Sequence, residues 1–300
     1  AFLLHTCAGY MGRAPGSVIY SAVLNEQGTF LSDITAQRIA DDHYRLFVGT
    51  NAIKRDFVHF SRASAGFDVQ LEDTTETYAV LGLMGPDAAR IVTECGAPEL
   101  NDLGYFKVGP AHIAGQHIRA ARLSYVGEAG WEITCKSENA PVIYAALTTA
   151  GAVPAGMFAQ SAMRIEKGFC AMGHELDSDV TPIDTGLDFA IRKKGGFVGA
   201  DALTAQQQAG AVARVMSVKI DDTIAVPLGH EPIYLGDTVI GLTTSTSFGY
   251  RIGCPVALAM LDSPVADGTK VEVDIAGDRF AATLVLGPLY DPAGARMRPA

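Results

Sequence analysis

Apolar and polar positions follow two different periods along this chain. Around 18–35 the period is two: Val18–Leu24 and 29–35 are β-rich runs, and the polar stretch Asn25-Glu26-Gln27-Gly28 between them predicts a hairpin. Over 51–64 the apolar residues Ile53, Phe57 and Phe60 recur at i, i+4 and i+7, which places them on one helical face. Pro86 and Gly96 bracket a second helix, the proline just inside its start and the glycine just past its end. The 112–135 stretch alternates loosely around Gly127-Glu128-Ala129-Gly130 and predicts strands. Helices follow over 140–149 and 157–167, stopped by Gly151 and Gly168. Beyond Gln206-Gln207-Gln208-Ala209-Gly210 helical periodicity fades, leaving short β runs with turns at Gly236-Asp237 and Gly277-Asp278. The pattern predicts an α+β protein: a mixed body over 1–207 and a small antiparallel β-barrel over 208–300.

With 300 residues and 48% hydrophobic positions, such a chain can bury a sizeable core. A formal charge of -10 argues against nucleic-acid binding, which needs clustered cations to release counterions. The nearest basic cluster, Arg192-Lys193-Lys194, reads as a solvated turn. Five scattered cysteines without a Cys-x-x-Cys pair fit a reduced compartment, and Cys170 among them reads as a small buried residue. That compartment is expected to be the cytoplasm, or the mitochondrial matrix in a eukaryote. No apolar run reaches the roughly 18 residues of a membrane span, so no membrane partner is expected. The opening Ala1-Phe2-Leu3-Leu4-His5 has neither an initiator Met nor signal-peptide character, and it reads as the inside of an element in a processed or longer protein.

Nucleotide-binding, serine-hydrolase and zinc-protease motifs are absent. Gly195-Gly196-Phe197-Val198-Gly199 reads as a structural turn, and His112 with His117 lacks the carboxylates of a metal site. Two acids stand out. Asp33 lies in the half-apolar run 29–34, where a buried carboxylate is costly unless paired or used. Glu132 sits between Trp131 and Ile133. From pattern alone, a bend-capping Asp33 and an exposed Glu132 remain open.

Longer blocks carry a resemblance. Pro15 to Ser21, Leu24-Asn25-Glu26, Gly28 to Asp33, Leu83-Met84-Gly85-Pro86, Ser124 to Trp131-Glu132, Met163 to Gly168, Thr181-Pro182 and Gly186-Leu187 together resemble the glycine-cleavage T-protein (aminomethyltransferase) family, in the same order over nearly the whole chain. Ser32-Asp33-Ile34-Thr35 and the closing Gly287-Pro288-Leu289-Tyr290-Asp291-Pro292 look like the C-terminal folate part of dimethylglycine and sarcosine dehydrogenases or oxidases. Gly173-His174-Glu175 looks more like the stand-alone T-protein.

The resemblance implies tetrahydrofolate as cofactor and a methylated-amine-derived one-carbon unit as substrate. FAD would belong to an amine-oxidase module or subunit outside this chain. Glu132 matches the family's pterin-edge carboxylate, and Tyr20 and Tyr125 match its wall residues. Asp33 matches the catalytic carboxylate near the arylamine nitrogen. Arg164 matches a recurring arginine that either touches ligand or forms an internal ion pair. The product implied is 5,10-methylenetetrahydrofolate. Two alternatives stay open: a stand-alone T-protein fed by a lipoyl partner, and a folate-binding accessory protein of iron-sulfur assembly.

Overall fold

The computed structural model describes residues 1–298. Three β units form around two helical layers. The first is a sheet of β1 (Val18–Leu24), β2 (Phe30–Arg38) and β3 (Tyr44–Phe47), in that order. The predicted hairpin joins β1 and β2, with a register shift between Val23 and Leu24. β3 goes beyond the sequence expectation: its four residues, Tyr-Arg-Leu-Phe, are too short a run to show a period. One face of this sheet carries Ile19, Val23, Ile34 and Ala36, which bury themselves against α1 (Phe2–Thr6) and α2 (Ile53–Ala63). Of the apolar stripe of α2, Phe60 is buried at 5% exposure whereas Phe57 remains 38% exposed.

The second sheet runs in the order β4 (Tyr78–Met84), β7 (Gly130–Lys136), β6 (Gln116–Arg122), β5 (Val108–Ile113). Trp131, Ile133 and Cys135 point to its covered face and pack on α3 (Ala88–Glu94) and α4 (Ala140–Thr149). A Cβ at Gly130 would lie 2.2 Å from the Leu83 carbonyl oxygen, so only glycine lets β4 and β7 approach so closely there. The other faces of the two sheets meet where Val18 packs with Val108, Ala121 and Leu123. His112 and His117 stand opposite each other in the β5–β6 pair, and no metal-holding cluster forms among the described residues.

After α5 (Met157–Glu166) and α6 (Ala200–Gln208), the strands β8 (Val215–Ile220), β9 (Pro232–Leu235), β10 (Thr238–Gly249), β11 (Cys254–Leu261), β12 (Lys270–Ile275) and β13 (Asp278–Val285) close into an antiparallel barrel. Closure leaves none of its strands with a free edge. Gly199 opens α6 at φ +85°, and a Cβ there would lie 2.5 Å from the Asn25 carbonyl oxygen; glycine thereby seats α6 on the hairpin turn. Arg192 departs from the solvated-turn reading. Its guanidinium donates to the carbonyls of Leu4, Cys7, Gly9, Gly195 and Gly196 and lies 4.7 Å from the Phe197 ring centre.

Arg251, in the β10–β11 connection, joins the barrel to the body. It pairs with the buried Glu166 at the end of α5 and with Glu128 at 3.3 Å, donates to the Val126 and Met163 carbonyls, and covers the Tyr290 ring at 3.7 Å. Removing one partner of a buried pair strands the other charge, so Arg251→Leu should lower stability by about 3–5 kcal/mol. Arg90→Ala, which breaks an exposed helical pair with Glu94, should leave the unfolding midpoint nearly unchanged. Urea unfolding of both variants measures the difference.

Candidate functional site

The strand period places Tyr20 and Asp33 on the sheet face opposite α1 and α2. Tyr20 pairs with Thr35 and Ala22 with Asp33, so the two side chains are diagonal neighbours, and the Tyr20 hydroxyl donates to Asp33 Oδ2 at 3.2 Å. Burial raises the Asp33 carboxyl above the usual carboxylate range, and the Tyr20 hydrogen bond opposes that shift only in part. The Tyr20 phenol is itself raised well above its ordinary value, first by burial and then by the Asp33 charge. The neighbouring Ser32 points to the opposite face, where its hydroxyl donates to Asp56 of α2 at 2.5 Å.

The loop between β6 and β7 brings Tyr125 to this pair. Its hydroxyl donates to the Cys170 carbonyl at 2.9 Å and its ring stacks on Phe169, with centres 5.9 Å apart and planes 7° from parallel. Burial raises the Tyr125 phenol, and the Asp33 charge adds to the shift. Cys170 packs, half-buried, against the core around Phe30 and Leu176, in keeping with the small buried residue expected from sequence. Its thiol is raised by burial and by the charges of Glu175 and Asp33. Phe169 and Cys170 follow Gly168 directly in sequence, and only the fold brings them to Tyr125.

Glu132 enters from the second sheet. It pairs with Gly82 on one side and Ala121 on the other, and Ala121 packs against Val18, two positions from Tyr20 on β1. Its half-buried carboxylate receives no protein hydrogen bond among the described residues, and burial alone raises its pKa. Two further polar groups lack partners on these facing surfaces: the side-chain amide of Gln37, fully buried, and the hydroxyl of Thr134, which shares the face of Glu132. Orphaned buried polar groups mark a place for a ligand or for water. A flat heterocycle with an amino-amide edge, as in a pterin, fits a carboxylate acceptor beside aromatic walls.

Arg164 forms an internal ion pair, one of the two readings its motif left open. Its guanidinium pairs with the fully buried Glu175 at 3.3 Å and donates to the Phe169 carbonyl at 3.0 Å and to Ser245 Oγ of β10 at 2.8 Å. Glu175 also accepts from the Ala171 amide and from Thr244. Burial demands this pairing, so Arg164 positions the 169–175 segment and the barrel.

The chain thus combines a mixed body of two sheets, a closed antiparallel barrel and a carboxylate-aromatic centre in the body. Residues 1–195 match the GCVT N-terminal domain and residues 214–291 the glycine cleavage T-protein C-terminal barrel domain. The chain belongs to the aminomethyltransferase (glycine cleavage T-protein) family. It is 32% identical over 286 residues to the aminomethyltransferase of Rubrobacter xylanophilus, covering 93% of this chain and 76% of that protein. It is 28% identical to the mitochondrial dimethylglycine dehydrogenase of Mus musculus, covering 93% of this chain but 34% of that protein. The crystal structure of glycine cleavage system aminomethyltransferase T from Bartonella henselae superimposes with a TM-score of 0.87 at 26% identity, covering 97% of this chain and 81% of that one.

Raised folded-state carboxyl pKa values contribute stability below the unfolded value, about 4, that is lost as pH rises through the folded values. Asp33→Asn and Glu132→Gln should therefore raise the urea midpoint at pH 7 and leave it unchanged near pH 3. An unchanged or lowered midpoint at pH 7 would show that neither acid is held against its charge.

Proposed function

We propose that the chain accepts a one-carbon unit onto tetrahydrofolate, the carbon coming from flavin-dependent oxidation of an N-methyl amine of the dimethylglycine or sarcosine type. The observation that carries the reading is the buried Tyr20–Asp33 pair, with the unpartnered Glu132 beside Ala121 on the sheet that packs against β1. Tetrahydrofolate supplies the nucleophilic nitrogen that captures the carbon. Glu132 accepts two N–H bonds from the pterin edge, and Tyr20, Tyr125 and Phe169 provide its aromatic walls. Asp33, held by the Tyr20 hydroxyl, takes up the proton lost from that nitrogen or stabilises the positive charge next to it. A second folate nitrogen then closes on the carbon as the amine or water it arrived with leaves, giving 5,10-methylenetetrahydrofolate, and the surrounding walls keep the reactive carbon from bulk water.

Similarity to dimethylglycine dehydrogenase, restricted to 34% of that longer protein, supports a partnership with an oxidising module. A second reading has its own support. The relatives of comparable length are named aminomethyltransferase, which favours a T-protein fed by a carrier-bound aminomethyl group. The two readings share the pocket and differ in the donor.

Calorimetric titration with tetrahydrofolate or folinic acid tests the pocket. The wild type should bind; Glu132→Gln should bind at least about tenfold more weakly, about 1.4 kcal/mol. Asp33→Asn should keep binding and lose about 10²–10⁴-fold in turnover. Absence of binding by the wild type withdraws the reading. Methylenetetrahydrofolate formation measured with a dimethylglycine-oxidising flavoprotein, and separately with an aminomethyl-loaded lipoyl carrier, separates the two donors.

A further inference from the structure

Two arginines and two buried polar side chains without protein partners come together between the sheets, away from the Tyr20–Asp33 pair. On the first sheet Gln37 stands opposite Arg45 in the β2–β3 register. On the second, Thr134 stands opposite Arg119 in the β6–β7 register. Residues directly opposite on neighbouring strands hold their side chains on one face, within reach of each other. In both sheets that face is the inner one. Gln37 pairs on its other side with Val18, which packs on Ala121, and Ala121 lies two positions from Arg119 on β6. Arg45 crosses the gap between the sheets: its guanidinium lies 3.9 Å from the ring centre of Tyr78 on β4, two positions from Val80, the other cross-strand partner of Thr134.

None of the four finds a counter-group in the protein. Both polar atoms of the Gln37 side chain and the Thr134 hydroxyl are buried without a hydrogen-bond partner, in residues 0% and 2% exposed. Leaving such groups unpaired is costly. No carboxylate lies within ion-pair distance of Arg45 or Arg119 among the described residues. Arg119 is lowered from its ordinary value by burial and then by the charge of Arg45. Glu132, two positions before Thr134 on β7, is not the missing partner, because burial alone accounts for its shift and no arginine opposes it. Two like charges held together beside orphaned donors form an arrangement that a bound anion resolves.

We propose that Arg45, Arg119, Gln37 and Thr134 form a binding site for a small carboxylate, separate from the pocket proposed for the pterin. A guanidinium fork matches two oxygens of a carboxylate or a phosphate alike. The surroundings decide between them: the exposed Glu72 and Asp73 on the rim repel a dianion, and the apolar Leu46, Val48 and Val80 suit a ligand with one charge and a short apolar body. The Thr134 hydroxyl and Gln37 Nε2 add the remaining donors. A cavity of about 760 Å³, lined by Arg45, Tyr78, Val80 and Thr134 among others, gives the route from solvent. Gln37 lies four positions beyond Asp33 on β2, about 13 Å along the strand, so a carboxylate held there leaves the Asp33 end free. Nothing in this site requires folate to be bound.

Propionate is titrated into the isotope-labelled 300-residue chain and followed by NMR, with propionamide as its uncharged isostere and inorganic phosphate as a second anion. Propionate should shift the Gln37 side-chain amide and the Arg45 and Arg119 Nε–H signals saturably, and propionamide and phosphate should bind at least about tenfold more weakly. Arg45→Gln and Arg119→Gln should each weaken propionate at least about tenfold, with backbone signals away from the substituted strands unchanged. The wild-type comparison of propionate with propionamide needs no variant, so it decides even where a substitution unfolds the chain. Propionate should still bind in Glu132→Gln and in the presence of tetrahydrofolate. Absence of saturable shifts in the wild type overturns the proposal, as does equal binding of propionamide or propionate binding unchanged in both folded arginine variants. Phosphate binding as tightly as propionate overturns the choice of carboxylate, and displacement of propionate by tetrahydrofolate overturns a separate site.

Discussion

A single guanidinium holds together the parts that must meet for this centre to exist. Arg251 reaches α5, the β6–β7 loop and the ring of Tyr290 from its place in the barrel. Tyr290 in turn donates to Glu128 at 2.5 Å, and next to it Lys167 is paired with Asp291 at 3.0 Å. Burying these charges is expensive, and they persist because each is matched from a different segment. The β6–β7 loop carries Tyr125, and α5 leads into Phe169 and Cys170. The barrel therefore contributes to the centre by fixing the elements that do, without placing its own residues against Asp33.

The periodic elements were legible in the sequence. The β1–β2 hairpin, the helix between Pro86 and Gly96 and the change of character after Gln208 follow from local spacing, turn residues and caps, which need no knowledge of distant neighbours. The antiparallel barrel also follows from its turns. Hidden were features that depend on sequence-distant contact. β3 has four residues, and its edges are set by β2. Arg192 sits in an exposed-looking basic triplet, yet its partners lie more than 180 residues earlier.

The candidate site divides along the same line. Asp33 and Glu132 could be singled out because a carboxylate among apolar neighbours is costly, and the structure finds both raised by burial. Their polarity as a pair could not be read: Asp33 is supported by a phenol, whereas Glu132 has no protein partner among the described residues. Arg164 shows the opposite case. Its motif suggested either ligand contact or an ion pair, and the pair forms with Glu175, fully buried and distant from the motif's own acid. Ser32 and Asp56 form a similar hidden couple, since the hydroxyl of Ser32 finds its partner 24 residues away on α2.

The clamp around Arg192 bears on the order in which the chain can become structured. Helix α1 has five residues, far below the about 12–15 needed for a helix to persist alone in water. Its last carbonyls are held by a guanidinium from residue 192. During synthesis, which proceeds at about 5–20 residues per second, α1 emerges well before residue 192 and must wait for most of the body before that fastening exists. This helix is thus among the last parts to settle, and the long sequence separation of its partners makes that closure slow.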